Sequence, residues 1–147
     1  MSDQIVYDFS QLSKIPQTLI VLQQRAESVR GKTKRVMQEY QAKIHETART
    51  YPPPMPAQKY VRTYKLQNSW QSGDVEDAGT EMRARVYSDG SARTKYGEYA
   101  QFVMHEKFQA NIHRGRWQTT DMIAAEYEPQ LALAISEMVK NVVAGYE

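Results

Sequence analysis

The chain has 147 residues, of which 41% are hydrophobic and 24% charged, so it can bury a core without a metal or a disulfide. It contains no cysteine, which excludes thiolate metal sites, a cysteine nucleophile and disulfide bonds. A net charge of +2 is too small to indicate a nucleic-acid-binding protein by itself. Since neither a signal peptide nor an apolar run of bilayer length is recognisable, we expect one intracellular domain, residues 1–147, with no membrane contact.

A long helix is predicted over about residues 16–49. From Ile15 to Ile44, apolar or small side chains recur at steps of three and four, as on one face of a helix. Ser13 can cap its start, and Gly31 marks a point of local weakness or close packing. Because such a helix would be about 50 Å long, part of it must project, bend or pack on a neighbouring copy.

Prolines 52, 53, 54 and 56 end this helix, and we interpret residues 51–58 as a stiff connector. A sheet region is predicted over about residues 60–104. Within it, the alternation from Met82 to Ser88 indicates a half-buried strand, and Asp89-Gly90 predicts a turn. Residues 96–104 predict a further strand, or a strand that leads into a short helix.

A second long helix is predicted over about residues 120–144. Thr119 or Thr120 can cap it, Pro129 is expected to kink or restart it, and Gly145 marks its end. Its apolar face comprises Met122, Ile123, Tyr127, Leu131, Ile135, Met138, Val139 and Val142. The fold class is therefore α+β, with a small, mainly antiparallel sheet flanked by a long N-terminal helix and a long C-terminal helix.

Candidate catalytic and metal-binding residues are few. The histidines are His45, His105 and His113. We interpret His45 as a helix surface residue, and the spacing of the other two relative to Glu106 matches no known zinc signature. An acid–base site built from His113, Arg116 and Glu106 is the alternative, which would make the chain a small nucleic-acid-binding or nuclease-like protein. The dispersed glycines form no phosphate loop, and we expect no cofactor.

Two basic clusters stand out. The first, Arg30, Lys32, Lys34 and Arg35, is either a solvated helix face or a surface for phosphates, and the nearby acidic residues favour the solvated face. The second lies in residues 113–117, His-Arg-Gly-Arg-Trp, whose composition is typical of an interface anchor. For Trp70, a core position is as well supported as an interface position.

Three segments in this order resemble the small neck or minor tail proteins of long-tailed, lambda-like siphophages, over residues 10–145. The first is the proline run followed by Tyr60, Arg62-Thr63, Leu66 and Ser69-Trp70. The second is Tyr96, Tyr99-Ala100 and Val103, and the third is Gln109-Ala110, His113, Gly115-Arg116-Trp117 and Thr119. Around the Arg-Thr segment, Tyr64 and Gln67 stand where that family carries glycines.

The resemblance implies a non-catalytic α+β virion subunit, assembled in the host bacterial cytoplasm and located in the neck or tail. It would form a six- or twelve-fold ring of identical copies between the portal or head-closure proteins and the tail tube or tail terminator proteins. We expect the interface to include Tyr60, Arg62, Trp70, Tyr99, His113, Arg114, Arg116 and Trp117. Non-specific contact with DNA in the channel would involve Arg30, Lys32, Lys34 and Arg35.

Overall fold

The computed structural model of the chain describes residues 19–57 and 63–145, with side chains from residue 23 onward. The predicted start of the first helix near residue 16 and its cap at Ser13 lie outside the described residues. The elements in chain order are α1 (Leu19–Arg49), α2 (Lys65–Ser69), β1 (Trp70–Ser72), β2 (Glu76–Asp77), β3 (Met82–Arg83), β4 (Val86–Ser88), β5 (Arg93–Thr94), β6 (Gly97–Glu98), α3 (Tyr99–Met104) and α4 (Thr120–Ala144).

The α+β class is confirmed, with short strands arranged as three antiparallel pairs: β1 with β4, β2 with β3, and β5 with β6. The strand predicted over residues 82–88 is divided into β3 and β4, because its two halves pair with different partners. The alternation of burial survives this division, with Met82 buried and Arg85 and Tyr87 exposed. Residues 97–104 form a strand that leads into a short helix, the second of the two predicted arrangements.

The long helices α1 and α4 pack against each other in antiparallel orientation. Near the end of α1, Thr47 Oγ1 and the Tyr127 hydroxyl share a hydrogen bond of 2.7 Å, whereas near its start Arg25 Nη1 donates to the Val143 carbonyl at 3.4 Å. A Cβ at Gly31 would meet no atom within 4 Å, so the close packing considered for this glycine is absent within the chain. The helix runs through Gly31 without a break.

Gln41 is a buried polar residue of α1 that the apolar pattern does not predict. Its side-chain amide nitrogen donates to the carbonyl oxygens of Gly73 (2.7 Å) and Arg85 (2.9 Å). Gly73 directly follows β1 and Arg85 directly precedes β4, so one side-chain amide contacts both strands of this pair. Gln41 therefore fixes the strand region to α1.

The core consists of two apolar clusters along the seam between α1 and α4. The first comprises Ala48, Leu66, Trp70, Val103, Met104 and Ile123, and the second comprises Met37, Val75, Met82, Leu131 and Ile135. A cavity of about 90 Å³ lies between them, bounded by residues of both clusters such as Trp70, Ile123 and Leu131. Each long helix therefore contributes to both clusters.

The ends of α4 follow the predicted capping residues. Thr119 Oγ1 accepts a hydrogen bond from the Met122 N–H, and Gly145 ends the helix with a φ of +80°. The prediction that Pro129 restarts the helix is wrong, since α4 continues through it. Pro129 lies on the exposed side of α4, where water can satisfy the carbonyl that lacks its helical donor. No helix in the described part of the chain has an apolar stretch that would cross a membrane.

Candidate functional site

The segment of residues 105–118, which we call the 105–118 loop, connects α3 to α4 and carries most of the predicted interface residues. Hydrogen bonds between backbone groups fold it into consecutive turns: the Ala110 N–H donates to the Phe102 carbonyl at 2.8 Å, and the His113 N–H to the Ala110 carbonyl at 2.8 Å. Gly115 adopts a φ of +73°, a conformation that favours glycine, between two arginines. The loop is therefore a compact structure.

Gln109 holds the two ends of the 105–118 loop together. Its side chain is buried, and its amide nitrogen donates to the carbonyl oxygens of Val103 (2.7 Å) and Trp117 (3.1 Å). From the sequence, Gln109 has no predicted role beyond its part in the resemblance. Its position shows that it shapes the loop from inside.

Trp117 is half-buried within the chain, whereas the sequence predicts an exposed aromatic anchor at this position, and its place in an interface stays a prediction. Its indole packs against the first core cluster and lies edge-on to the Tyr51 ring, with centroids 4.9 Å apart. The Tyr51 ring in turn stacks on that of Tyr64 at 5.3 Å. Tyr51 of the connector thus covers the Trp117 side chain, which the composition of the surrounding segment predicts to be exposed.

Arg116 binds the proline connector to the 105–118 loop. Its Nη2 donates to the Pro53 carbonyl at 3.0 Å, and Pro53 has no N–H with which to join a regular structure. On the other side, the Gln67 N–H donates to the Tyr51 hydroxyl at 3.3 Å. The connector therefore lies against its own chain, held by contacts at Tyr51 and Pro53.

The structure brings His113 and Arg116 together but gives Glu106 a different partner. His113 Nδ1 is buried without a hydrogen-bond partner among the described residues, and burial, with the nearby Arg116 charge second, lowers its pKa. The Glu106 carboxylate accepts a hydrogen bond from Thr119 Oγ1 at 3.2 Å, at the start of α4. Within the described ranges, no group of three or more His, Asp and Glu side chains could hold a metal ion.

Arg114 is exposed on the 105–118 loop, as are several other polar side chains and two large apolar residues that the sequence interpretation missed. Phe108 is 58% exposed and Ile112 is 61% exposed. Both residues lie in a polar stretch of sequence without helical or strand periodicity. That lack of periodicity is the sequence signal from which their exposure could have been predicted. Isolated large apolar side chains on a surface loop are suited to contact with another protein.

The other predicted interface residues are internal or lie outside the described part of the chain. Trp70 is 5% exposed and belongs to the first core cluster, so its interface assignment is wrong. Tyr99 is half-buried against the same cluster. His45 is also half-buried, contrary to the surface interpretation, and its Nε2 donates to the Trp70 carbonyl at 3.0 Å. Tyr60 and Arg62 lie outside the described residues.

The basic cluster of α1 is divided between an internal ion pair and free charges. Arg30 donates through Nε and Nη2 to the Asp77 carboxylate in β2, and these hydrogen bonds lower the pKa of Asp77. Lys32, Lys34 and Arg35 have no carboxylate within ion-pair distance in the described part of the chain. Three of the four predicted phosphate-facing residues are therefore available to a partner.

Comparisons of the chain with protein-family models, with curated proteins and with solved structures gave no match. The function is therefore inferred from its residues and their geometry.

Proposed function

We propose that this chain is a non-catalytic structural subunit of a tailed bacteriophage, in the head–tail connector (neck) or tail-completion assembly of the virion. Six or twelve copies would form a ring that joins the portal or head-closure proteins to the tail tube or tail terminator proteins. A subunit with modest affinity for itself gains its contacts cooperatively on a symmetric template, so ring closure fixes the number of copies.

The backbone at Tyr64 is the observation that carries the proposal. Tyr64 has φ 56° and ψ 13°, in the left-handed region that glycine adopts without strain. It is one of the two positions at which the resembling neck proteins carry a glycine. A backbone conformation typical of glycine at this position supports the resemblance by a criterion independent of side-chain similarity.

The residues that carry the resemblance also form one connected scaffold. Leu66, Trp70 and Val103 come from different segments and lie in the same core cluster. Gln109 and Thr119 fix the 105–118 loop and the start of α4. Residues that determine a fold are expected to persist between distant relatives, so this convergence supports a shared fold.

Surface features support a role in assembly and in channel contact. Exposed Phe108 and Ile112 on the 105–118 loop are suited to a protein partner. The unpaired cations Lys32, Lys34 and Arg35 are suited to the phosphates of DNA in a channel, a contact that would weaken steeply with salt.

Native mass spectrometry of the purified chain, alone and mixed with the tail-tube protein of the same phage, tests this proposal. We expect a ring of six or twelve copies that forms or becomes more stable when the tail-tube protein is present. A chain that stays monomeric in both samples and does not bind the tail-tube protein would contradict the proposal.

A further inference from the structure

Helix α4 carries a second apolar line on the side that faces away from α1. Residues at steps of three and four along this line are all exposed: Met122, Ala125, Pro129, Leu133, Ser136, Lys140 and Val143. Met122 is 56% exposed, and Leu133 and Val143 are each 60% exposed, although the opposite side of α4 is already buried in the core. Because a helix with apolar residues on both sides is typical of one that is covered on both sides, this line indicates a missing neighbour.

Acidic residues border this line on both sides. Glu126 and Glu137 lie along one edge, and Asp121 and Glu128 along the other. None of these four carboxylates has a cation within ion-pair distance in the described part of the chain. The outer surface of α4 is therefore a line about 32 Å long that is apolar except at Ser136 and Lys140 and lies between unpaired negative charges.

The outer surface of α1 has the complementary character. Its exposed line contains Gln24, Glu27, Gly31, Arg35, Gln38 and Ala42, again at helical spacing. Gly31 and Ala42 have no side chain or a short one, so another helix could approach this line closely. At Gly31 there is open space where a Cβ would stand. Seven basic residues against three acidic ones give α1 a net positive charge, whereas four acidic residues against one lysine give α4 a net negative charge. Lys32 and Arg35 have no ion-pair partner among the described residues.

We infer that the outer face of α4 docks on the outer face of α1 of a second copy of this chain. The apolar side chains of α4 would cover the short side chains on the exposed line of α1, and the acidic edges would meet Lys32 and Arg35. In that arrangement Lys32 and Arg35 bind the neighbouring copy, and Lys34 is the cation of this group that stays available to DNA. Two different surfaces of the same chain then meet head to tail, an arrangement that forms a ring when the rotation between successive copies closes. The inference rests on the proposed function, because a ring supplies the neighbouring copy.

Two charge-reversed proteins test the contact. The first carries Glu126→Lys and Glu137→Lys, and the second carries Lys32→Glu and Arg35→Glu. Each protein alone would set like charges against each other, so we expect its self-association to weaken at least about tenfold relative to the unmodified chain. In a one-to-one mixture, opposite charges meet again at every contact, so we expect association within about threefold of the unmodified chain.

Analytical ultracentrifugation measures this association in about 0.1 M and about 1 M salt, with circular dichroism to confirm folding. A matched control for the second protein, with Arg93→Glu and Lys95→Glu, carries the same change in net charge on the β5–β6 hairpin and should associate as the unmodified chain does. An unmodified chain that is monomeric at high concentration in low salt, or a mixture no stronger than its components, would overturn the contact. If that happens while the chain is still present in phage particles, the proposed function survives and another surface joins the copies.

Discussion

Tyr64 has an unusual backbone conformation for a residue with a side chain, since its φ of 56° lies in the left-handed region. Its ring stacks on Tyr51, and the interplanar angle is 10°. We expect Tyr64→Ala to lose the stacking and keep the strain, whereas Tyr64→Gly loses the stacking but relieves about 1 kcal/mol of strain. Urea unfolding should therefore show the glycine variant to be more stable than the alanine variant by about that amount. The reverse order would mean that the left-handed backbone at residue 64 costs nothing.

Trp117 and Phe108 differ in burial, and their substitution should separate stability from assembly. We expect Trp117→Ala to lower the free energy of unfolding by about 2 kcal/mol, less than for a fully buried tryptophan, because its indole is half-buried against the core. Phe108→Ala should leave stability within about 0.5 kcal/mol and weaken binding to a partner instead. Thermal unfolding and pull-down with the tail-tube protein measure the two effects. A stable Trp117 variant that fails to assemble would restore Trp117 as an exposed anchor.

His113 should make stability depend on pH. Because its pKa is lowered in the folded chain, the unfolded chain binds a proton first as the pH falls below the ordinary histidine value of 6.5. The stabilisation is complete above that value and is lost as the pH falls through the lowered pKa. Urea unfolding at about pH 7.5 and about pH 5 should show a larger loss for the unmodified chain than for His113→Gln. Equal losses would mean that His113 is not desolvated.

Single residues were predictable from the sequence where their role is local. Thr119 and Gly145 act at the ends of α4 as predicted, because capping depends on a few neighbouring backbone groups. Trp117 was not predictable, because its cover comes from Tyr51, distant in sequence. Local composition indicates what a side chain can do, whereas its burial depends on which other segments reach it.

Gly31 allows a prediction at the scale of the helix. Since a Cβ at this position would meet no atom of the chain, Gly31→Ala should stabilise the dilute, monomeric protein by about 1 kcal/mol through helix propensity. Ala42→Gly, on the same exposed line, should destabilise it by a similar amount. Urea unfolding at low concentration measures both variants. If Gly31→Ala destabilises the monomer, glycine is needed inside the chain and not at a contact with a neighbour.

Helices and strands differ in how well the sequence predicts them, because a helix depends on its own residues and a strand also depends on its pairing partner. The two long helices were predictable, because steps of three and four persist over many turns. The division of residues 82–88 into two strands was not, because it depends on pairing with β1 and β2. Pro129 shows the same limit, since a proline signals a break but the exposed side of a helix tolerates it.

The whole molecule carries opposite charge on its two long helices and exposed apolar residues on the outer face of α4. The sequence predicted the α+β class and the long helices, but it did not distinguish the two sides of α4, because both sides contain apolar residues. Only the position of α1 shows which side remains uncovered. This division between a buried and an uncovered face is expected of a subunit that completes its packing in an assembly.

If the chain is the proposed virion subunit, quantitative mass spectrometry of purified, tailed particles of its phage tests that role most directly. The copy number relative to the portal protein should correspond to six or twelve per particle, because a ring between head and tail has a fixed number of subunits. Intact particles with head and tail joined, but without this chain, would contradict the proposed role.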